Sequence, residues 1–285
     1  MSAAGFQSDP IALASAAALA SIRAVAGVRA SFVDRVGITQ LADLSERGGY
    51  RLGLPSTFAP HAEAVQVNTG GGVIGGDRIE VEVSAGEDAD ITYTTQSAER
   101  VYRSLGPAAE IDVRLSVGRG GRMDWLPQQT ILYSGARLKR RFEIDTASDS
   151  RLLMVEAITF GRGGSGEVMG QGLIHDVWRA RRDGRLIYAD AMRLDGDIAR
   201  LLARPAVASG ACASGILVYF APDAEERLDA VRLALAGARC DHGASAWNGL
   251  LAARFLGGVP ADVRAGVALA IELLAGRALP RVWTN

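Results

Sequence analysis

Five glycines, Gly70, Gly71, Gly72, Gly75 and Gly76, fall within seven residues, and the segment after them constrains the fold. Gly70-x-Gly72-x-x-Gly75 matches the spacing of a dinucleotide-binding turn, which must open a helix whose N-terminal amides hold a pyrophosphate. Instead Ile79, Val81 and Val83 alternate with Arg78, Glu80, Glu82 and Ser84, a period of two that belongs to a strand. No helix is there to present its amides, so nucleotide binding at this turn is excluded. A P-loop is excluded separately, because no lysine succeeds the glycines and Lys139 is the only one in the chain. Gly71, Gly72, Gly75 and Gly76 are read as a structural turn between strands, glycine supplying conformations closed to residues with a Cβ.

The same alternation recurs along most of the chain. Val28 to Val33 and Ile38 to Leu44 read as strands around Asp34-Arg35-Val36-Gly37, and Gly48-Gly49 turns the chain before Tyr50-Arg51-Leu52. Ile111, Val113, Leu115 and Val117 alternate and stop at Gly118. Leu138 to Ile144, Leu152 to Phe160, Ile174 to Arg179 and Leu186 to Asp190 come next, the last two around an Asp183-Gly184 hairpin signal. A ladder of short strands with a turn every eight to twelve residues or so predicts a mainly β body, a stacked β-helix-like solenoid or a sandwich.

The period changes in the last third. Ser214 to Phe220 is a compact strand, and Pro222-Asp223-Ala224-Glu225-Glu226 predicts a helix start, with Asp223 as N-cap and Glu226 completing a capping box. Leu228, Val231 and Leu235 line its expected buried face. Leu250 to Leu256 reads as a strand, and Pro260 opens a second helix with Val263, Val267, Ile271 and Leu274 on one side. The fold class is therefore mainly β (α+β), with about two C-terminal helices. Residues 28–285 form a single β-rich domain, and residues 1–27 an N-terminal extension. That extension is apolar and alanine-rich from Ile11, yet Arg23 interrupts it and no basic region precedes it, which argues against a membrane span or secretory signal.

Composition narrows the function classes. A net charge of −1 gives no general attraction to nucleic acid or to an anionic membrane. The basic run Arg137-Leu138-Lys139-Arg140-Arg141 reads as a solvated strand edge. Two cysteines, Cys212 and Cys240, make no disulfide framework and place the chain in a reducing cytoplasm. No serine sits in G-x-S-x-G, and His61, His175 and His242 are the only histidines available as bases. His175 and Asp176 are neighbours in a strand and point to opposite faces. Cys240-Asp241-His242 lacks a second pair at zinc spacing.

Three acidic residues stand out: Asp77 after the glycine turn, Glu156 within a strand, and Asp190 at the end of another. Glu156 shares its face with Met154, Ile158 and Phe160, and a carboxylate there must be paired, hydrated or coordinating. An arginine partner is the first reading, since 31 basic residues with one lysine leave thirty arginines (31 − 1). The second is transient handling of a divalent cation by oxygen ligands, which release ions faster than a closed Cys/His cage.

The stretch Gly71-Gly72-Val73-Ile74-Gly75-Gly76-Asp77, with Thr94-Thr95-Gln96-Ser97-Ala98 and Tyr102-Arg103-Ser104 after it, resembles the urease accessory protein D (UreD) family. Its pattern is GG-x-x-GGD, then TT-x-x-A-x-x-x-YRS. Trp125-Leu126-Pro127-Gln128-Gln129, Phe160-Gly161-Arg162 with Gly166-Glu167, Gly243-Ala244-Ser245 and Leu279-Pro280-Arg281-Val282-Trp283 are similar to further family segments in the same order. Ser165 stands where methionine is usual. The resemblance implies a non-enzymatic urease maturation chaperone that joins accessory proteins F and G and docks on apo-urease. It further implies help in inserting nickel, with no tightly bound cofactor and only transient Ni2+. On this resemblance Asp77, Glu156 and Asp190 become the acidic stations of a nickel path, and the second reading of the carboxylates overtakes the first. Arg162 and Glu167 become candidate partner contacts. The competing expectation is a β-helix enzyme cleaving polysaccharide with paired carboxylates, for which the 6% aromatic content provides few sugar platforms. A third is a purely structural scaffold without a metal path.

Overall fold

The chain keeps stepping between two facing sheets. The computed structural model describes residues 23–163 and 166–284. After β1 (Val25–Arg35), β2 (Ile38–Arg47) and β3 (Tyr50–Gly53), β4 (Ala62–Asn68) joins one sheet and β5 (Arg78–Ala85) the other. The alternation continues through β6 (Asp90–Thr95), β8 (Ala109–Val117), β9 (Arg122–Leu126), β11 (Arg137–Thr146), β12 (Arg151–Phe160) and β13 (Gln171–Arg182). Short strands β7 (Glu99–Val101) and β10 (Thr130–Leu132) pair with each other, and β10 also pairs with β12. The seven-stranded sheet runs β14-β13-β11-β8-β5-β1-β2, with β14 spanning Arg185–Asp197. The ten-stranded sheet runs β16-β17-β15-β12-β9-β6-β4-β3, with β15 at Ala213–Phe220, β16 at Asp241–Trp247 and β17 at Leu250–Gly257. Strands adjacent within the stack, such as β5 on β8 and β6 on β9, are parallel and in register. This is the stacked-coil body that the ladder predicts.

Two cores result. Between the sheets lie Phe32, Val81, Leu115, Ile144, Met154 and Trp178 with many others. The second core packs the outer face of β12, β15 and β17 (Leu153, Val155, Leu217, Phe255) against helices α2 (Leu228–Leu235) and α3 (Pro260–Ala275). Pro260 opens α3, whose Val263, Val267, Ile271 and Leu274 are buried as their spacing predicts. The closing turn Arg281–Trp283 then brings the Trp283 indole onto the Leu126 carbonyl at 3.1 Å.

Four expectations are corrected. β1 begins at Val25, ahead of the expected domain start at residue 28, while the rest of the extension, residues 1–22, lies outside the described residues. Helix α2 starts at Leu228 with Arg227 as N-cap. Asp223 does not cap it; it accepts from the Tyr219 hydroxyl at 3.0 Å and from Arg227 at 2.8 Å. The basic run is no strand edge: β11 lies between β8 and β13, with Lys139 and Arg141 outward but Arg140 buried. A third helix, α1 (Ile198–Leu202), and strand β16 were not anticipated. Asn248 and Gly249, both at positive φ, form the β16–β17 turn and are the Asn-Gly hairpin signal that reveals it.

Candidate functional site: a polar passage between the sheets

In β11, β12, β13 and β14 the middle of the inward row is apolar except for one ionisable residue. In β11 it is Arg140, between Leu138 and Phe142; in β12 it is Glu156, between Met154 and Ile158. In β13 it is Asp176, between Ile174 and Trp178, and in β14 Asp190, beside Tyr188 and Met192. Register places Arg140 beside Asp176 within one sheet, while Glu156 faces them from the other. The Arg140 guanidinium bridges the two, Nη1 to Glu156 Oε2 and Nη2 to Asp176 Oδ2, both at 2.5 Å. The other Glu156 oxygen accepts from the Trp125 indole at 2.9 Å, and that ring stacks on Tyr93 with centroids 4.7 Å apart. Among the described residues Asp176 Oδ1 is buried and has no hydrogen-bond partner. Burial pushes the Glu156 carboxyl above the usual glutamate range, against the opposing pull of Arg140 and the Trp125 hydrogen bond. Burial also disfavours the charged guanidinium, but Asp176 and Glu156 outweigh it and hold Arg140 protonated.

Glu156, Asp176 and Asp190 line one cavity of about 250 Å³, and Arg254 sits at its rim paired to Asp190 at 2.8 Å. Glu156 also lines a second cavity of about 60 Å³, with Arg140, Thr130, Gln66, Tyr50 and Glu99 on its walls. Gln66, Thr95 and Glu99 then line a third, of about 40 Å³, which reaches Gly71 and Gly72. Polar groups thus succeed one another through the inter-sheet space, from β14 to the glycine turn. At the turn end Glu99 accepts from the Tyr50 hydroxyl at 2.9 Å and the Asn68 amide at 3.0 Å. Burial raises its carboxyl against both hydrogen bonds. A separate, open cleft of about 530 Å³ under the Leu54–His61 segment is walled mainly by apolar residues such as Phe32, Leu41 and Phe58. Its ionisable groups are His61 and Glu63.

The structure brings Glu156 and Asp190 together but not Asp77. Asp77 Oδ1 accepts from the Ala24 amide and Oδ2 from the Ile74 amide, both at 2.9 Å, which pins the start of β1 to the glycine turn. Both oxygens serve the backbone, and Asp77 lines none of the three cavities. Asp190 is not terminal either, since β14 continues to Asp197. Gly76 has φ +93°, whereas Gly75 is required by space: a Cβ there would overlap the Ser104 side chain and the Pro107 carbonyl.

Arg162 and Glu167 pair with each other, Nε to Oε2 at 2.9 Å, and the Arg162 guanidinium lies 4.7 Å from the Tyr133 ring centroid. Tyr133 meets Tyr102 edge-on at 4.9 Å, and the Tyr102 hydroxyl donates to Gly71 O at 3.0 Å. Segments far apart in sequence therefore build one end of the body. The His242 ring binds the Cys240 carbonyl at 2.9 Å, and among the described residues no group of three or more His, Cys, Asp or Glu side chains is arranged to hold a metal ion. Arg140, Asp176 and Glu99 were missed by sequence reasoning. The signal for the first two was present, since each interrupts an inward period-two row between apolar neighbours, Leu138 and Phe142 around Arg140 and Ile174 and Trp178 around Asp176.

The fold and site define a stacked-coil β body with charged groups along the cavities between its sheets. The comparisons with known proteins place it more closely. A profile described as UreD urease accessory protein matches residues 24–284, and the chain belongs to that family. Urease accessory protein UreD of Methylobacterium sp. (strain 4-46) is 48% identical over 252 residues, 87% of this chain and 89% of its own length. The UreD proteins of Xanthobacter autotrophicus (49% identical, covering 87% and 86% of the two chains) and Azorhizobium caulinodans (47%, covering 87% and 91%) are similar.

Proposed function

We propose that this chain is a urease maturation chaperone that, with accessory proteins F and G, docks on apo-urease and guides nickel toward its active site. The observation that carries the reading is the succession of carboxylates in the inter-sheet cavities: Asp190, Asp176 and Glu156 on the first, Glu156 and Glu99 on the second, and Glu99 on the third. Oxygen donors suit a cargo ion that must leave again. Family membership supports the urease role, and the absence of a P-loop leaves GTP hydrolysis to the G protein. Among the described residues no helix is long and apolar enough to cross a membrane, which accords with work in the cytoplasm. The end built from Gly71, Tyr102, Tyr133, Arg162 and Glu167 is the proposed contact surface for accessory protein F.

Asp77 is set aside as a nickel station, and Asp176 takes its place. The test is a Glu156→Gln/Asp190→Asn double variant, nearly unchanged in volume. Glu156→Gln leaves Arg140 its Asp176 partner, and Asp190 pairs with a largely exposed Arg254. The variant is expected to fold, co-purify with its partners and deliver less nickel to urease. Full urease nickel content with a folded, assembled double variant overturns the passage.

A further inference from the structure

Arg140 poses a problem for any cation path, because a fixed positive charge stands between the two carboxylates best placed to hold the cargo. Its guanidinium uses Nη1 on Glu156 and Nη2 on Asp176, is braced by Thr130 at 3.3 Å, and lies 5.0 Å from the Phe142 ring centroid. Arg140 lines the 60 Å³ cavity, Asp176 the 250 Å³ cavity, and Glu156 both. The guanidinium therefore sits where the two spaces meet.

The oxygen count is informative. Glu156 has one oxygen on Arg140 and one on Trp125. Asp176 has one on Arg140, and its Oδ1, in a side chain only 7% exposed, is buried with no hydrogen-bond partner among the described residues. Two ionised carboxylates and one guanidinium leave a net negative charge, with one carboxylate oxygen unused on Asp176, a residue that lines the 250 Å³ cavity. Buried carboxylate oxygens are rarely left unsatisfied, and a cation supplies what Oδ1 lacks. Apolar residues of similar volume could fill this space without loss of stability, so packing alone does not account for three buried charges.

We propose that Arg140 is a resident counter-cation that competes with the divalent ion for Glu156 and Asp176. With guanidinium in place the acidic pair is only partly neutralised and the two cavities are separated. An arriving divalent cation first meets Asp176 Oδ1 and then displaces Arg140 from one or both carboxylates. Return of the guanidinium expels the ion. Such competition keeps affinity low at a site that must release its cargo. The inference rests on the passage reading above and adds a device that controls it.

The experiment is Ni2+ titration, by calorimetry or equilibrium dialysis, into the purified full chain and three variants. Arg140→Gln removes the competing charge, and one Ni2+ should bind roughly tenfold tighter or more than to the wild type. Arg140→Lys retains a cation and should stay near wild type. Arg140→Gln/Asp176→Asn should lose the gain, which assigns it to this pair. The same nickel ion should raise the unfolding midpoint of Arg140→Gln more than that of the wild type.

Unchanged nickel affinity in Arg140→Gln overturns the proposal. So does an Arg140→Gln protein that stays unfolded at saturating Ni2+, because the ion then cannot take the guanidinium's place. Urease nickel content separates this inference from the reading beneath it. If Arg140→Gln gains the site while the Glu156→Gln/Asp190→Asn variant still loads urease fully, competition stands and the passage falls. If Arg140→Gln gains nothing while that double variant fails to load urease, the passage stands and competition falls.

Discussion

Strand β12 faces two different interiors. On one side Leu153 and Val155 pack with Leu217, Phe255, Val267 and Ile271 under α2 and α3. On the other, Met154, Ile158 and Phe160 share the inter-sheet space with Glu156, Arg140 and Asp176. Both interiors are similarly inaccessible, so burial does not distinguish them. The helix-side core is what hydrophobic packing produces when stability is the sole demand. The inter-sheet core carries charges whose desolvation must be offset by pairing, and small cavities remain around them. The helix side keeps its buried carboxylate, Asp124, at the end of α3, paired to Arg122 and Arg277, whereas the inter-sheet core holds Arg140, Glu156 and Asp176 amid its apolar residues and beside cavities, a placement that cohesion alone does not call for.

The sharpest test of the contrast lies on the helix side. Ile271 is fully buried on α3 against the β12–β15–β17 face. Ile271→Ala should cost about 2–5 kcal/mol of unfolding free energy, through lost transfer energy and the cavity left behind. Urease activation per folded molecule should not change. A selective loss of nickel delivery from a folded Ile271→Ala protein would break the division of labour between the cores.

On the inter-sheet side, Glu156→Leu should reverse the balance. Arg140 keeps Asp176, but the Trp125 indole loses its acceptor, and an orphaned buried donor costs about 1–3 kcal/mol. Denaturant unfolding should thus show a smaller loss than Ile271→Ala, while nickel delivery falls out of proportion to it. Comparable losses in both assays would make Glu156 a structural residue only.

The same contrast explains what was legible beforehand. Strand positions could be read from alternation, because the outward rows are polar and the inward rows mainly apolar, as in Ile79, Val81 and Val83 of β5. Helix α3 could be read from Pro260 and its buried spacing. Glu156 stood out for its apolar face. Its partners did not, because Arg140 lies sixteen residues away and Asp176 thirty-six from Arg140, and only the stacking of β11 on β13 brings them together. Composition misled for Arg140: a basic run suggests a wet edge, whereas the period of two within it sends Lys139 and Arg141 outward and Arg140 inward. Asp77 misled in the opposite direction. A carboxylate after a glycine turn resembles a ligand, but its oxygens were claimed by the Ala24 and Ile74 amides, which no spacing rule exposes for Ala24, 53 residues distant.

The smallest expected effect is a pH slope at the far end of the passage. Burial raises the Glu99 carboxyl above its ordinary value of 4.5, although Tyr50 and Asn68 both donate to it. The folded protein therefore holds this proton more tightly than the unfolded chain does. With more protons bound in the folded state, stability declines as pH rises from about the unfolded value of 4.5 through the higher folded one, and the penalty is fully present above it. Glu99→Gln keeps an acceptor for Tyr50 and removes the titration. Its unfolding free energy, measured by urea denaturation across that window, should fall less steeply with pH than that of the wild type. The helix-side variant Ile271→Ala should retain the wild-type slope at lower overall stability, because it removes no ionisable group. If Glu99→Gln leaves the slope unchanged, Glu99 ionises in the folded protein as freely as in the unfolded chain. The charged interior would then end at Glu156 and would not continue to the glycine turn.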